Sequence, residues 1–245
     1  WQKVLDKLQP GDYVLIQFGH NDEKHFPDRY TEPGGTFDAH LAKYVNETRQ
    51  KGGIPVLLNS VVRRCFFSAN LKNEDDEKLR SKVYGGDEPI NSATLIDTHG
   101  AYVVAPRKVA KALNVPFVDA TRITHDIETQ MGIEGSRKLH MWFKPGENPQ
   151  VPKGKQDNTH YNVYGAHVVA NALADALAEQ VPELKKHVRH YEYVVSAQGR
   201  GNFMSLQEAV DAVPKGQAAI ILVLDGKWQK PSIAKNKNVK ILYRK

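Results

Sequence analysis

Tyr13-Val-Leu-Ile-Gln-Phe-Gly-His-Asn-Asp22 is the stretch from which the fold can be worked out. Its first six residues form a short apolar run of strand-favouring side chains, which predicts a strand buried on both faces, as in a parallel sheet. Loops at the carboxyl ends of such strands are where open parallel sheets bind ligands. Asn21 is therefore a candidate oxyanion donor, with Gly19 allowing close approach of a substrate. These residues taken alone favour an ordinary Gly-Asn-Asp turn.

Strands and helices alternate outward from this stretch. Apolar runs predict a second strand over Ile54–Val62 and a third at Val115-Pro-Phe-Val-Asp119. Helical spacing, caps and terminators predict helices near residues 36–51, 92–113 (one or two pieces, interrupted near Pro106), 124–131 and 163–180. The polar residues 70–88 indicate a long surface loop. This alternation predicts a three-layer α/β/α unit around a parallel sheet.

Asp157-Asn-Thr-His160 carries the second candidate for chemistry. It lies between a loop rich in Pro, Gly and Lys and a predicted amphipathic helix. A carboxylate placed there can accept a hydrogen bond from one imidazole nitrogen, which leaves the other nitrogen free to take a proton. The pair therefore predicts the base half of a hydrolytic triad. The alternative is that Asp157 caps the helix and His160 is a surface residue of its first turn.

Two further positions are candidates for substrate binding. Arg63 lies with Arg64 at the end of the second predicted strand, where it could hold a carboxylate or form a solvated edge. Trp142, in the aromatic segment Leu139-His-Met-Trp-Phe143, could stack on a sugar ring or anchor the long loop that follows, and the anchor is the favoured interpretation.

The overall composition is ordinary for a globular protein: 245 residues, 40% hydrophobic and 25% charged. No apolar run approaches the roughly 20 residues of a membrane span, and no nucleic-acid-binding motif is present. Cys65 is the single cysteine, which excludes an internal disulfide and a multi-cysteine metal site. No metal is expected, although His20, His25, Asp157 and His160 are residue types that could form a metal site.

The pattern changes after about residue 190. Strand candidates at 193–196, 220–224 and 239–242 flank a capping box at Ser205-Leu-Gln-Glu208, which opens a helix ending at Pro214. Residues 191–245 hold 9 Lys/Arg against 4 Asp/Glu, so most of the net charge of +6 belongs to this segment. It predicts a second unit, and its basic excess either marks an acidic partner or reflects a biased count in a short segment.

Residues 1–187 resemble the SGNH/GDSL hydrolase superfamily, and most closely the rhamnogalacturonan acetylesterase-like family. The segment Asp12–Asp22 is similar to that family's third block, whose Asn donates to the oxyanion. The segment Asp157–His160 is similar to its fifth block, whose Asp and His complete the triad. Supporting matches are Pro55-Val-Leu-Leu-Asn-Ser-Val-Val-Arg-Arg64, Asp97-Thr-His-Gly100, Pro116-Phe-Val-Asp119 and Gly165-Ala-His167.

This resemblance implies an SGNH-type, flavodoxin-like α/β/α fold without a cofactor. It assigns catalysis to Asp157, His160 and the oxyanion donor Asn21 beside Gly19. It also implies a pectic polysaccharide substrate and a secreted or periplasmic location. Residues 194–214 are similar to the opening of a pectin methylesterase, a right-handed parallel β-helix, of which about one coil is present. The predicted domains are therefore 1–187 and 188–245.

The sequence departs from the SGNH pattern in one respect. The family's nucleophilic Ser lies in a Gly-Asp-Ser block before the third block, and this tripeptide occurs nowhere in the chain. Ser60, at a strand end, is the nearest substitute and a poor one. We expect the chain to be an internal piece of a longer two-domain esterase, with its sheet incomplete at the N-terminus and no activity alone. A non-catalytic carbohydrate-binding scaffold is the alternative.

Overall fold

The structure is a computed structural model that describes residues 1–67, 80–81, 83–86, 88 and 90–244. The helices are α1 (Gln2–Leu5), α2 (Thr36–Gln50), α3 (Ala101–Leu113), α4 (Ala120–Ser136), α5 (Val163–Gln180) and α6 (Leu206–Ala212). The strands are β1 (Tyr13–Gln17), β2 (Ile54–Leu58), β3 (Arg80–Ser81), β4 (Phe117–Val118), β5 (Gln156–Asp157), β6 (Tyr193–Ser196), β7 (Ala218–Asp225) and β8 (Asn238–Tyr243).

The first unit is built around a parallel sheet in the order β1-β2-β4. Successive side chains of β2 point to opposite faces, so Leu57 joins the cluster formed by α2 and α3, whereas Val56 and Leu58 join the cluster formed with α5. Helices therefore cover both faces of β2. This arrangement is mixed α/β with a parallel sheet, consistent with the predicted α/β/α layers.

Strand β1 differs from its prediction because one of its faces is largely exposed. Ile16 is buried under α2 and α3, but Leu15 is 52% exposed and Phe18, just after the strand, is 44% exposed. Among the described residues β1 pairs with β2 alone, which makes it an edge strand. An apolar run indicates a strand but cannot tell whether both of its faces are covered.

Two other predicted segments are corrected. Residues 92–113 contain one helix, α3, and Pro106 lies inside it rather than breaking it. Most of the segment 70–88 lies outside the described residues. Of its described part, β3 pairs antiparallel with β5, and the carboxylate of Glu88 forms an ion pair with Arg64. Glu88 therefore does not belong to a surface loop, because it neutralises a buried guanidinium.

The second unit has its own sheet, in which β6, β7 and β8 are all parallel. The Ser205 hydroxyl accepts a hydrogen bond from the Glu208 N–H, so the predicted helix start is confirmed. Helix α6 packs on the sheet through Leu206, Ala209 and Val210. A continuation into a β-helix stays a prediction.

Within the described ranges, no helix combines the length and the apolar character needed to cross a bilayer.

Candidate active site

The two sequence blocks meet at the carboxyl ends of the strands in the first unit. The loop after β1 brings Asn21, the segment after β2 brings Val61, and the loop before α5 brings His160. They share a cavity of about 340 Å³. The residues lining this cavity, called the base cavity below, are His20, Asn21, Lys24, Val61, Arg63, Thr159, His160 and Tyr161.

Asp157 and His160 have the geometry of a carboxylate-oriented imidazole. The Nδ1 atom of His160 lies 2.9 Å from Oδ2 of Asp157. The other carboxylate oxygen, Oδ1, accepts the backbone N–H groups of Thr159 and His160, each at 2.9 Å. Asp157 is 1% exposed and the His160 side chain is 55% exposed. With a proton on Nδ1 facing the carboxylate, Nε2 is left as an acceptor.

The surroundings of Asp157 favour its ionised form. Burial raises the pKa of the carboxyl group, but the backbone N–H groups of His160 and Thr159 and the imidazole of His160 outweigh it and hold the pKa below its usual value. Asp157 is not the cap of α5, because that position belongs to Asn162, whose side chain accepts the Gly165 N–H at 2.9 Å. The alternative in which Asp157 is only a helix cap is therefore wrong.

Gly19 and Asn21 lie on the loop after β1, beside Ser60. A side chain at Gly19 would place Cβ 2.3 Å from the Ser60 hydroxyl oxygen, and its φ of +133° also favours glycine. Asn21 is exposed and lines the same cavity as His160, where its amide could donate a hydrogen bond. Ser60 is buried and its hydroxyl donates to the Phe18 carbonyl at 3.2 Å, so its oxygen is not presented to the base cavity.

Arg63 lines the base cavity but is only 2% exposed. Its guanidinium forms an ion pair with buried Glu23 and donates to the His20 carbonyl at 3.2 Å. His99 completes the cluster, with Nδ1 2.9 Å from the Glu23 carboxylate and Nε2 3.1 Å from the Val61 carbonyl. Substrate binding by Arg63 stays a prediction, and these contacts favour a role in holding the loop of Asn21.

Trp142 is half-buried and tied to the loop of the candidate base. Its indole N–H donates to Asn158 Oδ1 at 2.7 Å, and the same oxygen accepts from Arg64 at 2.8 Å. The Arg137 guanidinium lies over the indole ring, 4.8 Å from its centre. These contacts favour the anchoring role over sugar stacking. Sequence reasoning missed Asn158 and Arg64 here because nothing in their spacing indicates a pairing 94 residues apart.

A second buried pair behind the base was also missed. His140 Nε2 lies 2.8 Å from Glu128 Oε1, and the Tyr161 hydroxyl donates to the same oxygen at 3.4 Å. Burial, followed by the charge of Glu128, raises the pKa of Tyr161 far above its usual range. The Met141 N–H donates to the His160 carbonyl at 3.0 Å, so the segment containing His140 also supports the base loop.

The proposed grouping of metal ligands is not formed. His25 stacks on Tyr30 with ring centres 4.3 Å apart, and His20 packs edge-on against His99 at 4.4 Å. Within the part of the chain that the structure describes, no three His, Cys, Asp or Glu side chains are grouped closely enough to hold a metal ion.

Comparison with known proteins identifies the family. No protein-family profile matches the chain. The chain is 36% identical over 187 residues to rhamnogalacturonan acetylesterase RhgT of Bacillus subtilis, covering 76% of this chain and 69% of that protein. It is 27% identical to the probable rhamnogalacturonan acetylesterase YesY of the same species, over 73% and 67% of the two chains. A rhamnogalacturonan acetylesterase of Emericella nidulans is 25% identical, over 72% and 65%.

A solved Bacillus subtilis structure superposes with a TM-score of 0.49 at 19% identity, covering 74% of this chain and 40% of that one. That likeness is too weak to carry an argument. The identity to RhgT and the share of both chains that it covers are sufficient by themselves. This chain belongs to the rhamnogalacturonan acetylesterase family of SGNH-type hydrolases.

Proposed function

We propose that the intact protein is a carbohydrate esterase that removes acetyl groups from pectic polysaccharide of the rhamnogalacturonan type. The observation that carries the proposal is the buried Asp157 carboxylate, 2.9 Å from Nδ1 of His160, at a cavity that Asn21 also lines. The names of the relatives support the substrate class. No cofactor enters the reaction.

The reaction would follow the division of labour of a Ser-His-Asp triad. A serine attacks the acetyl carbonyl while Nε2 of His160 takes its proton and then gives it to the leaving sugar oxygen. Asp157 stays ionised and orients the imidazole. The Asn21 amide donates to the oxyanion, a contact typically worth about 3 kcal/mol of barrier. Water then hydrolyses the acetyl-enzyme by the same steps and releases acetate.

The serine would come from a segment that is not in the printed sequence. Strand β1 has an edge without a partner among the described strands, with Leu15 and Phe18 exposed nearby. A further parallel strand could pair with this edge, and its carboxyl end would lie beside the loop of Gly19 and Asn21. The proposal therefore includes a serine at the end of that strand.

For residues 188–245 we propose the beginning of a linked pectin methylesterase domain. Its support is a set of three parallel strands and a local sequence likeness that covers about one coil. The excess of Lys and Arg in this segment suits an acidic galacturonan. A polymer substrate of this kind is extracellular, so we also propose a secreted or periplasmic location.

The test is acetate release from acetylated rhamnogalacturonan. The full-length protein would be compared with its His160→Ala variant, with a His25→Ala control and with the 245-residue chain. We expect His160→Ala to lower kcat/KM at least 1,000-fold, on the order seen when a triad member is lost, and His25→Ala to have little effect. Equal activity of His160→Ala and the unsubstituted protein would contradict the triad.

A non-catalytic carbohydrate-binding scaffold is the second candidate. It is favoured by the buried position of Ser60 and the absence of Gly-Asp-Ser from the printed sequence. It requires that full-length protein bind acetylated rhamnogalacturonan without releasing acetate. The same assay, run beside a binding measurement, separates the two candidates.

A further inference from the structure

Lys155 lies against the carboxylate that orients the candidate base. Its backbone is fixed by two hydrogen bonds with Phe143, of 2.8 and 3.0 Å. Its side chain is 26% exposed, and Nζ lies 3.2 Å from Oδ2 of Asp157. The resemblance to known esterases gives Lys155 no role, and the sequence treats it only as part of a Lys-rich loop.

The ammonium and the imidazole both contact Oδ2 of Asp157, and the imidazole Nδ1 also lies 3.1 Å from Oδ1. Oδ2 of Asp157 lies 2.9 Å from Nδ1 of His160 and 3.2 Å from Nζ of Lys155. Oδ1 is already occupied by two backbone N–H groups. Four donors therefore surround one carboxylate, and one of them is a permanent cation. Part of the negative charge that would stabilise an imidazolium is offset by Lys155.

Other charged groups also lie near His160. Across the base cavity are the cations Lys24 and Arg63 and the ring of His20. Arg63 is neutralised by Glu23. The carboxylate of Glu128 contacts the imidazole of His140 and accepts a hydrogen bond from the Tyr161 hydroxyl. No Asp or Glu is among the described residues that line the base cavity, and the Asp157 carboxylate contacts His160 at 2.9 Å.

We propose that Lys155 is a positioning residue of the esterase reaction, which holds the Asp157 carboxylate in place and weakens the attraction of that carboxylate for an imidazolium at His160. This inference rests on the proposed function. Its consequence is that loss of Lys155 would strengthen the attraction between the Asp157 carboxylate and an imidazolium at His160.

The test is an NMR titration of the His160 imidazole in the 245-residue chain. The resonance is identified by its loss in His160→Gln. In Lys155→Met we expect the midpoint of this titration to move to higher pH, because removing the cation favours the protonated ring. Lys155→Arg keeps the charge and should restore the original value. Lys153→Met removes a charge from the same loop at an exposed position and should leave the value unchanged.

An unchanged midpoint in Lys155→Met would overturn the inference, as would an equal rise in Lys153→Met. In full-length Lys155→Met, the acid limb of the pH profile of kcat/KM should move to higher pH, as the titration does. An acid limb at the same pH as in the unsubstituted protein would overturn the claim that Lys155 affects catalysis. The titration needs no substrate. A protein that shows the titration shift but never releases acetate would therefore overturn the proposed function and not the effect of Lys155 on His160.

Discussion

At the scale of single residues, the side chains of the segment Asp157–His160 have different roles. Asp157 turns inward, is buried and orients the imidazole. Asn158 also turns inward and is held by Arg64 and Trp142. His160 turns outward to the base cavity. The contacts of Asn158 therefore hold the segment between the carboxylate of Asp157 and the imidazole of His160.

The first prediction concerns Asp157→Asn and acid stability. The pKa of Asp157 is lowered in the folded protein, so its contribution to the free energy of unfolding is present above the unfolded pKa near 3.8 and is lost as pH falls through the folded value. We expect Asp157→Asn to cost about 1–3 kcal/mol at pH 7, with a cost that shrinks below about pH 4. Urea unfolding at pH 7, 5, 4 and 3 measures this.

The matched control for that series is Asp126→Asn. Asp126 is exposed and pairs with Arg122 one helical turn away, at 3.4 Å. Such a surface pair contributes little, so the control should change the free energy of unfolding by less than about 0.5 kcal/mol at every pH. A cost for Asp157→Asn that stays constant from pH 7 to pH 3 would show that its carboxylate is not ionised and stabilised as described.

At the scale of elements, helix α5 is packed directly on the segment that supports the base loop. A Cβ at Gly165 would lie 2.0 Å from the Leu139 carbonyl oxygen. That oxygen accepts the N–H of Asn162, the residue that caps α5. Glycine is required here by close approach of two backbones and not by an unusual φ, since Gly165 lies within the helix. The position of the base loop therefore depends on this contact.

The second prediction is that Gly165→Ala destabilises the first unit. Overpacking against a backbone carbonyl should cost about 1–3 kcal/mol, even though Ala is the better helix former. The control is Gly135→Ala in α4, where the added Cβ would meet Met131 at an ordinary 3.4 Å and should be neutral or stabilising. Thermal unfolding of both variants measures the change in stability caused by each added Cβ. A Gly165→Ala protein as stable as the control would mean that α5 moves away freely.

The third prediction separates an anchoring Trp142 from one that stacks on sugar. Trp142→Phe keeps the ring under Arg137 but removes the N–H that reaches Asn158. We expect a loss of about 1 kcal/mol in unfolding free energy and a several-fold fall in kcat with little change in KM. Steady-state kinetics of the full-length protein measure both constants. A raised KM at unchanged kcat would instead place the ring against substrate.

Trp228→Phe is the control for Trp142→Phe. The Trp228 indole also donates one hydrogen bond, to the Asp225 carbonyl at 3.0 Å, but it lies in the second unit. It should lose a similar amount of stability there without any change in kcat. A fall in kcat for both variants would indicate that the effect of Trp142→Phe is a general loss of folded protein.

The elements were more predictable from sequence than their surroundings. Helix α5 and the strands of the second unit follow from periodicity and capping residues, because these are local properties. The exposure of Leu15 depends on which strands and helices lie beside β1, and no local pattern records that. The pairing of Glu128 with His140 is set by the packing of α4 against the base loop. The sequence could therefore identify Asp157 and His160 as a pair, but not the buried charged residues that support them.

At the scale of the whole molecule, the apolar clusters fall into two sets. Those of the first unit lie within residues 13–184, and that of the second unit lies within residues 193–241. The charges are divided in the same way, since residues 191–245 carry most of the basic excess. Because no described cluster contains residues of both sets, we expect each unit to keep its fold when the other is lost.

The fourth prediction tests this by shortening the chain after His190. The shortened chain should keep the main thermal transition of the 245-residue chain within about 2 °C, and it should keep the same His160 titration. It should lose a second, smaller transition, which belongs to α6 and the sheet of β6, β7 and β8. Scanning calorimetry resolves the two transitions, whereas one cooperative transition in the longer chain, shifted by the truncation, would show that the units fold as one. That outcome would mean the second unit stabilises the esterase unit, and the boundary near residue 187 would have to be abandoned.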